Sequence, residues 1–127
     1  MATLAHALQV VGWWIAPLII FFLKPESKFV RFHALQAMLL QFTIMVLWIG
    51  GFVLFFVAMF VTIPHGRPAP GQPPPLIMLV FPFFWLGGMV IWIVTLVLAI
   101  IYAVKAGQGE WARYPLIGGI ARRLLGL

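Results

Sequence analysis

The side chains able to do chemistry are few, and they recur at helical spacings. His6 and Gln9 are three residues apart, as are His33 and Gln36, and Gln41 follows. Far downstream, Glu110, Trp111, Arg113 and Tyr114 fall within one short stretch. On a helix, residues at i and i+3 lie about 60° apart on one side. His33 carries the sharpest chemical reading, because an imidazole can ligate a metal or hold a haem- or chlorophyll-like macrocycle with one nitrogen. A metal ion needs further N, O or S ligands; Gln36 is a poor one, and His65 lies beyond a long apolar stretch. No metal site and no cofactor are therefore expected. A pigment or haem held by His33 is kept as an alternative to the default reading, a buried, hydrogen-bonded anchor.

The same inventory argues against an enzyme. The chain has two acids (Glu26 and Glu110), one serine (Ser27) and no cysteine. Neither a Ser-His-Asp set nor a catalytic pair of carboxylates can be assembled convincingly, and thiolate chemistry and disulfides are excluded. Between positions 32 and 66, and again between 68 and 104, the only side chains that ionise near neutral pH are His33 and His65, both near segment ends. That weighs against a pump or ion-coupled transporter.

The elements that must position these residues are membrane helices. Of 127 residues, 65% are hydrophobic and only 8% charged, against about a quarter charged in soluble domains. The spacing predicts an all-α membrane protein, a single transmembrane domain over 1–127 with three spans and a short C-terminal interfacial amphipathic helix. Span one covers 3–23, with Pro17 expected to kink it, and is expected to be retained because no basic region precedes it. Span two covers 32–63. At about 48 Å it exceeds a ~30 Å hydrocarbon core, so it is read as tilted, or bent at Gly50-Gly51. A proline-rich loop follows at 64–75, read as a stiff connector. Span three covers 76–104. An interfacial tail occupies 105–127, where Leu116, Ile120, Leu124 and Leu127 lie along one side.

Within span three, Gly88, Trp92, Thr95, Ala99, Tyr102 and Ala106 share one face, and small residues there let another helix approach closely. Gln36, Gln41, Gly88, Thr95 and Ala99 are the expected packing or partner contacts; an amide such as Gln41 in hydrocarbon must find a partner. The net charge of +6 is read as topology plus attraction to anionic lipids, with Arg113, Arg122 and Arg123 on head groups and no nucleic acid as partner. Lys24, Lys28 and Arg31 in the first loop and Lys105, Arg113, Arg122 and Arg123 in the tail stand against Arg67 alone in the proline loop. With three spans this puts the N-terminus outside and the C-terminus in the cytoplasm, in a bacterial inner membrane.

The FHALQ head with His33 and Gln36, then Ala106, Gly109, Arg113, Tyr114 and Pro115, with an opening Leu4-Ala5-His6, resemble the Tic-twenty-like membrane family and its bacterial domain of unknown function. The resemblance implies a small polytopic helical protein that works in a complex, without a defined activity. Three functions follow as expectations. The first is a non-enzymatic accessory subunit or assembly factor among other integral membrane proteins. The second is a Tic-twenty-like translocation or transport component forming an oligomeric passage. The third is a pigment-, haem- or lipid-binding subunit of an energy-converting complex.

Overall fold

The computed structural model describes residues 1–62, 71 and 76–127, the side chains of 76 and 77 excepted. The proline-rich connector expected at 64–75 thus lies, apart from position 71, outside the described residues. Five helices are described: α1 (Ala2–Gly12), α2 (Ile15–Leu23), α3 (Lys28–Thr62), α4 (Leu76–Gly107) and α5 (Ile117–Leu124). Two of them, α3 and α4, are long and apolar enough to cross a membrane.

The expected first span is therefore corrected to a hairpin of two short helices. Ala5 of α1 and Ile20 of α2 join Ala34 of α3 in one buried cluster. In a continuous helix Ala5 and Ile20 would stand about 22 Å apart. The reversal occurs at Trp13 (φ 49°, ψ −133°) and Trp14 (φ −77°, ψ −18°), close to the angles of a type II′ turn. Pro17 does not kink a span. It sits in the first turn of α2, where a missing N–H leaves no helical bond unmade. The hairpin also changes the expected topology. Thr3 lies beside Gly107 at the end of α4, so the start of α1 shares one end of the molecule with the tail instead of standing opposite it.

Ser27 caps α3, its hydroxyl accepting from the Val30 N–H at 3.3 Å. The helix then continues for 35 residues, through Gly50-Gly51 without a break. Its excess length has a simple use. The head, from Phe32 to Ala37, is buried in protein, and only the body beyond Gln41 presents apolar side chains outward. Positions 42–62 extend about 30 Å, the thickness of a hydrocarbon core.

Against this body lies α4. Gly88, Thr95, Ala99, Ala103 and Ala106 are buried, whereas Trp92, expected on the same face, is 60% exposed. The Trp48 indole of α3 rests directly on Gly88 and meets Phe84 edge-on at 4.9 Å. The Thr95 hydroxyl donates to the Ile91 carbonyl within α4, so no polar group is left open there. Near Gly88 the stripe thus receives Trp48 of the same chain. Near Ala106 it receives α1, which packs on both α4 and α3.

A side chain at position 88 has no room, whereas one at Gly87 meets open space. Gly88→Leu is expected to lower stability in detergent by about 1–3 kcal/mol through displacement of Trp48, and Gly87→Leu to leave it nearly unchanged. Thermal unfolding of the two variants side by side reads the difference.

Candidate functional site

The polar residues converge where α1, the head of α3 and the segment 108–116 meet. His6, Gln9, His33 and Gln36 are all fully buried, and Tyr114 nearly so. His6 Nε2 lies 2.9 Å from His33 Nδ1, and His6 Nδ1 lies 3.0 Å from the Tyr114 hydroxyl. Gln9 Nε2 donates to that hydroxyl at 3.0 Å, and His33 Nε2 stands 3.0 Å from the Glu110 carbonyl oxygen.

The chemistry of these groups orders the protons. A carbonyl oxygen only accepts, so His33 Nε2 carries a hydrogen. Neutral His33 then accepts at Nδ1, so His6 donates from Nε2. Neutral His6 accepts at Nδ1, so Tyr114 donates its phenolic hydrogen there. The phenolic oxygen in turn accepts from the Gln9 amide. Every junction has one hydrogen; a second proton on His6 would require the Tyr114 hydroxyl to turn its hydrogen elsewhere, and one on His33 would require His6 to change tautomer as well. Neutrality also suits a fully buried pair whose nearby Glu110 carboxylate is turned to Lys105. Burial pushes the Tyr114 phenol above its ordinary pKa, which keeps it a donor. The Gln9 Oε1 atom is left buried without a partner.

Gln36 pairs with the backbone as another strand would. Its Nε2 donates to the Ala112 carbonyl at 3.2 Å, and its Oε1 accepts from the Tyr114 N–H at 2.8 Å. The non-helical segment 108–116 thereby has backbone groups satisfied by a helix side chain. The Tyr102 hydroxyl donates to the Arg113 carbonyl at 2.7 Å. Gly118 of α5 permits the close approach, since a Cβ there would stand 2.6 Å from Arg113 Cβ and 2.7 Å from Gln36 Oε1. Lower in the bundle, Gln41 Nε2 donates to the Gln9 carbonyl at 3.2 Å.

These positions answer the expectations residue by residue. His33, the candidate cofactor ligand, has both ring nitrogens within hydrogen-bond distance of groups in this chain, His6 on one side and the Glu110 carbonyl on the other. Among the described residues, no group of three His, Cys, Asp or Glu side chains could hold a metal ion. Gln36 and Gln41 contact other segments of this chain. Gly88, Thr95 and Ala99 lie in the α4 seam. Arg113, Arg122 and Arg123 are exposed at the end of the molecule that carries α5. Sequence reasoning missed Tyr114 as the hub and the union of His6 with His33. The shared i,i+3 pattern, His6-Gln9 and His33-Gln36, was the available signal.

What the fold and this cluster define is a small all-helical membrane protein, built on two long apolar helices and tied at one end by a buried hydrogen-bond network. The chain belongs to the magnetosome magnetite crystal formation protein family (MamF/MmsF), which it matches over residues 1–121. That match corrects the resemblance to the Tic-twenty-like family, and with it the translocation reading. Neither curated proteins nor solved structures provide a match.

Tyr114→Phe removes the hydroxyl on which His6 and Gln9 converge, and is expected to cost about 1–3 kcal/mol for each buried group left unpaired. Chemical denaturation in detergent measures it. Nitrogen NMR of the imidazoles is expected to show both histidines as neutral Nε2–H tautomers at pH 7; an Nδ1–H tautomer at His33 would contradict the proton order.

Proposed function

We propose that this protein is a non-enzymatic subunit of the magnetosome membrane that helps assemble a larger complex of integral membrane proteins supporting magnetite crystal formation. One observation carries this reading: the chain's polar, chemistry-bearing residues are consumed in tying its own helices together. His6, His33, Gln36 and Tyr114 have no open face for a substrate. What the molecule offers instead is the apolar outer surface of α3 and α4, including Trp85, Met89 and Trp92 on α4, suited to lipid and to other membrane helices. The crystal-forming role comes from the family description.

In this reading the end bearing Lys24, Lys28, Arg31, Lys105, Arg113, Arg122 and Arg123 faces the cytoplasm, following the distribution of basic residues. The start of α1 lies on that side too, as the hairpin requires. The apolar bodies of α3 and α4 cross toward the compartment where the crystal grows.

The test is to tag the chain in a magnetite-forming cell, extract it in mild detergent and identify what accompanies it by mass spectrometry, with electron microscopy of crystals in cells lacking it. A stoichiometric integral membrane partner and crystals of altered size or shape are expected. Recovery of the chain alone, with normal crystals in its absence, would refute the proposal.

A further inference from the structure

Beside the buried cluster, and not used by it, is an open cleft of about 390 Å³ lined by Phe32, Trp111, Arg113, Arg122 and Leu127. Its two guanidinium groups come from separate segments, Arg113 from the stretch before α5 and Arg122 from α5 itself. The backbone that carries each of them is fixed from behind. The Arg113 carbonyl is held by Tyr102, and its neighbours Ala112 and Tyr114 by Gln36. Arg122 follows Ala121, which is fully buried in a cluster with Phe32 and Leu35.

Two cations on one cleft call for a counter-charge, and neither acidic side chain of the sequence supplies it. Glu26 pairs with Lys24 at 3.5 Å and Glu110 with Lys105 at 3.7 Å. These are the only acidic side chains in the sequence. A planar guanidinium presents a fork of donors that matches phosphate oxygens, and two of them suit a single bridging anion.

The walls decide which anion. Phe32 and Trp111 stand 5.4 Å apart along one side, and Leu127 adds a further apolar surface. Leu116 just before α5, and Ile120 and Leu124 on it, follow at four-residue steps and are 90%, 52% and 65% exposed. Gly118 and Ala121 are the residues that face the protein. An apolar stripe turned away from the bundle, next to a tryptophan and arginines at the end of two membrane helices, is the arrangement of a helix lying in the lipid interface. A free phosphate ion has no use for such walls; a phosphate joined to a glycerol and acyl chains does.

We propose that this cleft is a binding site for the phosphate of an anionic phospholipid, with Arg113 and Arg122 on the phosphate oxygens and Trp111 against the glycerol region. The site depends on the membrane placement of the chain but not on any protein partner, so it stands or falls separately from the assembly role.

The test uses the full chain in mild detergent, titrated with phosphatidylglycerol or phosphatidylcholine of equal acyl length and read by native mass spectrometry. Wild type is expected to retain a single phosphatidylglycerol about tenfold more tightly than phosphatidylcholine. Arg113→Gln/Arg122→Gln is expected to abolish the difference. Arg123→Gln, the same charge change on a residue outside the cleft, is expected to stay within about twofold of wild type. A large excess of inorganic phosphate is expected to leave the lipid bound. Arg122→Gln alone alters only an exposed side chain; it is expected to weaken retention with an unchanged melting curve, which separates the site from misfolding. Equal binding of the two lipids, an equal loss with Arg123→Gln, or displacement by inorganic phosphate would overturn the proposal; the last outcome would assign the cleft to free phosphate.

Discussion

The structure depends on the hydrogen-bond chain that runs from Gln9 through Tyr114, His6 and His33 to the Glu110 carbonyl. It joins three stretches more than twenty residues apart in sequence. Hydrogen bonds shielded from water are strengthened, and each unmade one there costs more than it would at a surface. The chain has a single consistent proton order when both imidazoles are neutral, so it favours one arrangement of α1, α3 and the tail. Gln36 extends the same constraint to the backbone of 112–114. Besides these bonds, the α1–α2 hairpin and α5 are held on the head of α3 by the Gln41–Gln9 bond and by the apolar clusters around Ala5, Ile20 and Ala34 and around Phe32, Leu35 and Ala121.

A second constraint is the division of α3 into a protein-covered head and a lipid-facing body. Polar side chains of the head, His33 and Gln36, are affordable because α1 and the tail enclose them. The body needs no such enclosure, since its side chains are apolar but for Thr43 and Thr62, whose hydroxyls donate to carbonyls of the same helix, and its backbone is satisfied within the helix. Trp48 on Gly88 and the rings around Phe84 close the α3–α4 contact in that region. This leaves the apolar side chains over most of the outer surface of both long helices turned away from the bundle.

Among the described residues, charge is segregated to the same end as the polar cluster. Both glutamates are matched with lysines, while among the described residues Arg113, Arg122 and Arg123 have no carboxylate side chain as partner. The network that orders the tail therefore also sets the spacing of two cations on an exposed cleft. Rigidity inside and an anion-attracting surface outside arise from one set of contacts.

Several features were legible in the sequence alone. Composition and the absence of charge between Arg31 and Arg67 determined that the chain is a helical membrane protein, because such apolar lengths are stable only in lipid. The two longest spans and the small-residue seam of α4 followed from local patterns. The first span did not, because apolar length cannot distinguish one crossing helix from a hairpin of two. Pro17 was legible as a disruption, but only the positive φ at Trp13 shows that the chain has already turned. Nor could spacing reveal that His33 meets His6 and Tyr114. Each was visible as a polar residue in need of a partner, and hydrogen bonding fixes that a partner must exist but not which one. That choice was made by tertiary structure, which alone brings residues 6, 33 and 114 within reach of one another.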